Sequence, residues 1–159
     1  MNPMGKVPIL KDGGLVVPDS SVICAYLERA HPARPMYPDD AGGNARPLFL
    51  EEYADTALNG ATIWAYVERV LHDECDEARV NKILAEDLPP VLDYIEPQMP
   101  AGRDTILGEF GIADAAVIAE LGSLDLSGEA IDAARWLKTA AYFAAHKDRP
   151  SVALSLQAL

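Results

Sequence analysis

The sequence has few cysteines and few basic residues. Cys24 and Cys75 are the two cysteines among 159 residues, and their number and separation predict neither a disulfide framework nor a cysteine-based metal site. Thirteen Lys and Arg residues against twenty-five Asp and Glu give a formal charge of −12. This charge repels phosphate backbones and anionic lipid surfaces, so nucleic-acid and membrane-surface binding are disfavoured.

Long hydrophobic runs are also missing. No stretch approaches the roughly 18 apolar residues of a membrane-spanning helix, and residues 1–10 lack the cationic start and apolar run of a secretory signal. We therefore expect a soluble, cytoplasmic protein in a reducing compartment. Hydrophobic residues make up 50% of the chain, which is enough for a core in one domain or two small ones.

The first 42 residues combine a hairpin pattern with a short helix and a proline-rich segment. Two apolar runs, residues 7–10 and 15–17, flank the turn-forming segment Lys11-Asp12-Gly13-Gly14, which predicts a β-hairpin. The apolar spacing after Pro18-Asp19-Ser20 predicts a helix capped by Asp or Ser and ending near Ala30. The prolines between residues 32 and 38 then predict a stiff linker.

From about Gly43 onward the hydrophobic pattern is helical. A long helix that stops before Asp73 is predicted from the three- and four-residue spacing of these residues: Leu48, Phe49, Tyr53, Ala57, Ala61, Trp64, Ala65 and Leu71. A second helical stretch, about 74–95, should bend or restart at Pro89-Pro90. Further helices are predicted at about 112–122, 130–145 and 150–157. A hairpin with one helix buries too little apolar area to fold alone, so we expect a preceding segment.

Four stretches resemble the glutathione S-transferase family. Residues 2–10, NPMGKVPIL, resemble the family's N-P-x-G-x-V-P-x-L segment. Residues 18–27 resemble its E/D-S-x-A-I-x-x-Y-L helix start, and residues 107–114 its G-x-x-[ST]-x-A-D capping segment. Trp136 and the sequence RPSV at 149–152 match its W…RPS ending.

The resemblance implies an α+β fold that is mostly α. Residues 1–32 would be the second half of a thioredoxin-like domain, 33–42 a linker, and 43–159 an all-helical bundle. Family members place a strand, a helix and a second strand before the position of Asn2, with the catalytic Tyr, Ser or Cys near the first helix start. We therefore expect the sequence as given to be incomplete, and we assign no catalytic residue.

Val7 and Pro8 are the first candidate site residues. Taken alone, the Val7–Pro8 bond is expected to be trans, because only about 5–6% of X-Pro bonds are cis, and Pro8 would simply open a strand. The resemblance instead implies a cis-proline that turns the backbone N–H and C=O of Val7 toward the cysteinyl part of glutathione.

Asp19, Ser20 and Lys6 complete the implied glutathione site. The amino end of a helix attracts anions, so Ser20 would hold the γ-glutamyl carboxylate while Asp19 pairs with the ammonium group. The alternative is that Asp19 or Ser20 is only an N-cap. Lys6 would lie near the carboxyl end of the peptide, or else be a solvated surface lysine.

Other candidate residues favour structural roles. Asp114 is predicted to close a capping box on Gly111. The run His72-Asp73-Glu74-Cys75 is interpreted as a charged helix end, because consecutive residues cannot converge on one metal ion, and no metal is predicted. Cys24 is expected to be a small buried residue. Core packing is the preferred role for the aromatic residues of the long helix: Tyr53, Trp64 and Tyr66.

The sequence therefore predicts a glutathione S-transferase that binds glutathione as a substrate. In full-length form it would transfer glutathione to small electrophiles, a detoxification chemistry, and the family implies a homodimer. The alternative is a non-catalytic binding or interaction protein of the same family. The chain alone is expected to be inactive in conjugation, and poorly soluble unless it dimerises, because its first strand would be an unpaired edge.

Overall fold

A two-stranded hairpin and one helix form the first of two units, residues 1–45 and 46–159, into which the chain divides. The computed structural model describes residues 2, 5–100 and 105–157. Strands β1 (Ile9–Asp12) and β2 (Leu15–Pro18) are antiparallel, and Ile9 lies opposite Pro18. Gly13 has a positive φ of 56° in the connecting turn, a conformation that glycine adopts without steric cost. The predicted hairpin is confirmed.

Helix α1 (Ser20–Ala30) follows the second strand and confirms the predicted helix. The Tyr26 hydroxyl donates a hydrogen bond to Asp12 Oδ2 at 2.7 Å, which ties the helix to the hairpin turn. This bond also raises the pKa of Tyr26. Both carboxylate oxygens of Glu28 accept from the Met36 N–H, at 3.2 and 3.0 Å, so the proline-rich segment is held back against α1.

A long helical run carries the chain from residue 41 to residue 71. Its segments are α2 (Ala41–Tyr53), a π-helical turn (Ala54–Leu58), α3 (Asn59–Tyr66) and a second π-helical turn (Val67–Leu71). The run ends before Asp73, as predicted. It begins two residues earlier than predicted, because Asp40 Oδ1 accepts from the Gly43 N–H at 2.6 Å and so caps the first turn.

The residues whose spacing predicted this run are not all buried. Phe49 is 48% exposed, and Leu48 and Leu71 are also exposed. The buried residues follow a different row at steps of three and four: Leu50, Ala54, Leu58, Ala61 and Ala65. Two apolar rows satisfy the helical spacing, and the row that packs on the remaining helices is the one with smaller side chains.

Two further helices follow, separated by a π-helical turn. Helix α4 (Glu77–Lys82) leads into the π-helical turn Ile83–Asp87. Helix α5 (Leu88–Ile95) follows and ends in a 3-10 turn (Glu96–Gln98). Pro89 and Pro90 lie in the first turn of α5, where their missing N–H groups cost little because first-turn amides have no intrahelical partner. The predicted restart at these prolines is confirmed.

Helix α6 (Ile112–Leu126) is the central element of the second unit. It packs most extensively on α3 and also contacts α7 (Leu137–His146) and α8 (Pro150–Gln157). The core includes its side chains and those of its neighbours: Leu50, Leu58, Leu92, Ile95, Val117, Leu121 and Leu124. Helix α7 begins at Leu137 rather than near 130, because Asp132 instead accepts turn bonds from Ala134, Arg135 and Trp136.

The architecture is therefore a small hairpin-and-helix unit and a helical bundle, which confirms the predicted α+β, mostly α, fold class. Across the described residues, no helix has both the length and the apolar character to cross a membrane.

Candidate functional site

The start of β1 carries a cis peptide bond between Val7 and Pro8. The Val7 side chain is 87% exposed, and Pro8 and Lys6 are also exposed. The segment before this bond is held by Asn2, whose carbonyl accepts from the Gly5 N–H at 3.1 Å and whose side-chain Nδ2 donates to the Lys6 carbonyl at 3.0 Å. The Lys6 carbonyl, one residue before the cis bond, is thus held at the solvent-exposed entry to the hairpin.

The hairpin brings this bond close to the amino end of α1. Because Ile9 pairs with Pro18, the residues just outside the two strands lie side by side. The Asp19 N–H donates to the Pro8 carbonyl at 3.3 Å. Residues 7–8 and 19–20, separated by eleven positions in sequence, therefore form one local surface within the first unit.

Asp19 caps α1 in a strained backbone conformation. Its φ and ψ are 79° and 133°, a region that residues with a Cβ rarely adopt and that costs on the order of 1–3 kcal/mol. Asp19 Oδ1 accepts from the Val22 N–H at 3.2 Å, and the first intrahelical bond runs from the Ile23 N–H to the Asp19 carbonyl at 2.9 Å. Asp19 Oδ1 therefore forms the N-cap that the capping alternative predicts.

Ser20 is the first residue of α1 and is exposed. The first intrahelical hydrogen bond is donated by the Ile23 N–H, three residues later. The Ser20 N–H is therefore one of the amides that have no intrahelical acceptor at the amino end of a helix. The partial positive charge of that helix end favours an anion. The local surface around residues 7–8 and 19–20 therefore combines three features: a helix start that attracts anions, the acidic Asp19 side chain and the Val7 backbone.

The sequence motifs gave these residues as candidates, but they did not predict the turn that precedes them. Gly5 has a φ of 66°, which explains why a glycine stands at this turn. The Asn2 carboxamide closes the same turn. Both residues lie inside the motif that carried the resemblance, so the motif itself was the signal for their structural role.

Asp114 has the structural role that the capping segment predicts, together with two further contacts. Its Oδ2 accepts from the Gly111 N–H at 3.0 Å, which closes the acidic half of a capping box; Gly111 has no side chain to supply the other half. Its Oδ1 accepts from the Ile106 N–H at 2.9 Å and from the Tyr142 hydroxyl at 2.7 Å. Asp114 therefore joins the loop before α6, the start of α6, and α7.

The remaining candidates belong to the bundle. His72 Nδ1 lies 3.0 Å from Glu68 Oε2, and within the part of the chain that the structure describes no three His, Cys, Asp or Glu residues are grouped as metal ligands. Trp64 is 43% exposed, and Arg79 stacks on its ring at 4.1 Å, so its predicted core role is wrong. Tyr66 is buried. Cys24 is half-buried.

Tyr53 is half-buried on α2, and its hydroxyl donates to the Val91 carbonyl at 2.9 Å. Burial of the ring, with Tyr94 close by, raises the pKa of Tyr53 to about 12. Tyr53 therefore stays protonated at neutral pH and joins α2 to α5.

Comparisons with known proteins agree with the motifs. Residues 1–35 match the sequence model of the glutathione S-transferase N-terminal domain. A 55-residue segment is 41% identical to mouse glutathione S-transferase omega-1, and it spans 33% of this chain and 23% of the mouse protein. In this match, the chain spans less than a quarter of the length of the mouse protein.

Solved structures extend the likeness over nearly the whole chain. A glutathione S-transferase from Rhodospirillum rubrum superposes with a TM-score of 0.80 at 25% identity, over 95% of this chain and 70% of that protein. A glutathione S-transferase from Methylobacterium radiotolerans, in complex with glutathione sulfonate, gives a TM-score of 0.75 at 27% identity, over 98% and 74% of the two chains.

The fold is thus that of a glutathione-transferase-like protein, with thioredoxin-like elements followed by a helical domain. The chain is similar to glutathione S-transferases in the motifs of residues 1–35 and in its fold.

Proposed function

We propose that this chain binds glutathione at the surface formed by Lys6, Val7, Asp19 and Ser20. The observation that carries the proposal is the Asp19 N–H to Pro8 carbonyl bond of 3.3 Å, because it joins the residue after Val7 to the residue that caps α1. A related protein of the same fold is in complex with glutathione sulfonate.

The γ-glutamyl end of glutathione carries a carboxylate and an ammonium group. The carboxylate is complementary to the Ser20 amide and hydroxyl at the positive end of α1. The ammonium group is complementary to the charge of the Asp19 carboxylate, whose Oδ1 caps the helix. The backbone strain at Asp19 fits this role, since strained residues cluster at binding sites.

The middle and the far end of the peptide meet the segment before β1. The Val7 backbone N–H and C=O pair with the cysteinyl part in the manner of an antiparallel strand. The Lys6 ammonium attracts the glycyl carboxylate. Glutathione is here a substrate, and we assign no catalytic residue among the residues of this chain.

The activity of the whole protein is a further proposal. Glutathione is a nucleophile as its thiolate, and we propose that the protein transfers it to small electrophiles in the cytoplasm. We also propose a homodimer, which is supported by exposed apolar side chains on the bundle at Leu48, Phe49 and Tyr94. Sedimentation of the Phe49→Asp variant tests the dimer: the variant should be monomeric where the parent protein is dimeric.

Calorimetric titration of the chain with glutathione tests the site. Asp19→Asn keeps a capping side chain but removes the charge, and Ser20→Ala removes the hydroxyl. Each should weaken binding about three- to tenfold, because a hydrogen bond to a charged group contributes about 1.5–3 kcal/mol when buried and less at an exposed site. Lys6→Met should weaken binding by a smaller factor.

Matched controls separate the site from the overall charge. Asp39→Asn and Lys11→Met change the same charges at exposed positions of the first unit and should leave the affinity unchanged. Equal effects of Asp19→Asn and Asp39→Asn would refute the site. Binding of glutathione without conjugation of a chromogenic electrophile, in a protein that includes the catalytic segment of its relatives, would favour the non-catalytic alternative.

A further inference from the structure

Glu120 places a carboxyl group in the contact between α6 and α3. It lies on α6 and is 8% exposed. Its Oε2 is 3.0 Å from Thr62 Oγ1 and 3.1 Å from Asn59 Nδ2, and both of these residues lie on α3. Thr62 is fully buried, so solvent does not reach its hydroxyl group. The protonation of Glu120 therefore depends on the protein groups around it.

The Thr62 hydroxyl has one hydrogen but two acceptors within bonding distance. Its Oγ1 is 3.0 Å from the Leu58 carbonyl oxygen and 3.0 Å from Glu120 Oε2. A hydroxyl donates one hydrogen and accepts through its lone pairs, and a helical threonine commonly donates to the carbonyl four residues earlier. With that bond formed, an ionised Glu120 would face the lone pairs of Thr62 Oγ1. A protonated Glu120 instead donates to Oγ1, and both short distances are then hydrogen bonds.

The helical run that packs on α6 brings acidic groups to Glu120 and no cation. From Pro47 to Glu68 the sequence contains no Lys, Arg or His, and the residues of α6 and α8 include none either. Asp55 lies one helical turn before Asn59, and its carboxylate repels a charge on Glu120. The remaining titratable residues of the run between 47 and 68 are acidic or phenolic: Glu51, Glu52, Tyr53, Tyr66 and Glu68.

Helix α7 also packs on α6, and its titratable side chains have partners of their own. The Tyr142 hydroxyl donates to Asp114 at 2.7 Å, and His146 Nδ1 is 2.9 Å from the Tyr142 carbonyl oxygen. Lys138 lies beside Glu96, which accepts a bond from the Lys138 N–H at 2.8 Å.

We propose that Glu120 stays a neutral carboxylic acid in the folded protein at pH values at which exposed glutamates are ionised, and that it makes the contact between α6 and α3 sensitive to pH. The acid O–H donates to Thr62 Oγ1, and the Thr62 hydroxyl donates to the Leu58 carbonyl. Once the acid has lost its proton, the carboxylate can only accept. One acceptor of the Thr62 hydroxyl then loses its bond, Asp55 repels the new charge, and the contact weakens.

The surroundings of Glu120 act on its pKa in the direction that the proposal requires. Burial raises the pKa of Glu120, and the Asp55 carboxylate raises it further. The hydrogen bonds with Thr62 and Asn59 offset only part of this rise. The groups involved all lie in the second unit, so the proposal is independent of the glutathione site.

A carbon NMR titration of the full chain measures the protonation of Glu120. The carboxyl carbon of a glutamate shifts when the group loses its proton, and the Glu120→Gln variant identifies the Glu120 signal by its loss. This signal should titrate at a higher pH than the signals of the exposed glutamates. A Glu120 carboxyl that titrates together with them, or below them, would overturn the proposal.

Replacement of Thr62 by valine shows which group donates. Valine has the shape of threonine without the hydroxyl. If the acid donates to Oγ1, the variant removes an acceptor of the neutral form, and the titration midpoint of Glu120 should fall by about 0.5 to 1 on the pH scale. If the hydroxyl donated to a carboxylate, the midpoint would rise. Thr62→Ser keeps the hydroxyl and should keep the parent midpoint.

Thermal unfolding of Glu120→Gln tests the effect on stability. The amide can donate to Thr62 at every pH, whereas the acid contributes fully only below the unfolded-state pKa of about 4.5, and its contribution is lost as the pH rises through the raised folded-state pKa. The unfolding midpoint of the variant relative to the parent should therefore rise with pH, by about 2–4 °C in total. Glu52→Gln, at an exposed position of α2, is the matched control and should show no such rise.

Two results with these variants would overturn the proposal. One is a Glu120 titration midpoint that rises or stays unchanged in Thr62→Val. The other is a stability difference between Glu120→Gln and the parent that does not change with pH. If Thr62→Val does not fold, the carbon titration of the parent and the Glu120→Gln comparison still decide the question.

Discussion

Replacement of Asp114 by alanine should destabilise the bundle more than any surface substitution. Asp114 is 1% exposed and accepts three hydrogen bonds, from the Ile106 N–H, the Gly111 N–H and the Tyr142 hydroxyl. Alanine leaves all three donors without their acceptor. A buried donor without a partner costs about 1–3 kcal/mol, and Gly111 is only partly buried, so the expected loss is about 3–5 kcal/mol.

A double-mutant cycle with Tyr142→Phe divides this cost. Burial of Tyr142 and its bond to Asp114 raise the pKa of the phenol, so the hydroxyl remains a donor throughout the neutral range. Tyr142→Phe alone should cost about 1.5–3 kcal/mol, since the bond that it removes is to a charged group. The double variant should lose at least about 1 kcal/mol less than the two single variants together, because no orphaned hydroxyl remains.

Denaturant unfolding followed by the fluorescence of Trp136, which is buried in the bundle core, measures these free energies. Hydrogen exchange at the Ile106 and Gly111 amides supplies a local readout. Asp148→Ala and Tyr94→Phe are the matched controls at exposed positions, with expected changes within about 0.5 kcal/mol. An Asp114→Ala variant as stable as these controls, or strict additivity in the cycle, would refute the reasoning.

Two further predictions concern helix ends. Glu96 accepts from the Lys138 and Thr139 N–H groups at 2.8 and 2.9 Å and from the Thr139 hydroxyl at 2.6 Å; Glu96→Ala should cost about 1–2 kcal/mol in denaturant unfolding. Burial raises the pKa of Glu96, but these hydrogen bonds outweigh burial and keep the pKa below its usual value of 4.5. The contribution of Glu96 to the free energy of unfolding is therefore full above pH 4.5, and it is lost as the pH falls through the lowered folded-state pKa. If Glu96→Ala lowered the free energy of unfolding equally at low and neutral pH, this assignment would be contradicted. Asp19→Gly relieves the φ of 79° and should slow hydrogen exchange in α1 while weakening glutathione binding; a variant with unchanged affinity would argue against a binding role for the carboxylate.

Local signals predicted the first unit well. The Asp12-Gly13-Gly14 turn and the cap at Asp19 act within a few residues, and turns and caps are determined by the conformational preferences of the residues themselves. The restart at Pro89-Pro90 follows from the same kind of local chemistry, because the missing N–H of proline costs least in the first turn of a helix.

Long-range packing determined what the sequence left open in the bundle. Leu50, Ala54 and Leu58 are buried while Phe49 is exposed, although both rows have helical spacing. The choice depends on the surface that α6 presents, which no local window contains. The amino end of α7 also depends on a long-range contact, since its first turn is capped by Glu96, more than forty residues earlier.

The candidate glutathione site combines both kinds of information. The motifs around Pro8 and Asp19 predicted its residues, because proline geometry and helix capping are local properties. Their proximity depended on the hairpin register that places Ile9 opposite Pro18 and allows the Asp19 N–H to reach the Pro8 carbonyl. The amino-acid order by itself thus determined which groups are available, and the tertiary structure decided which of them meet, because backbone pairing and packing alone bring distant residues within contact distance.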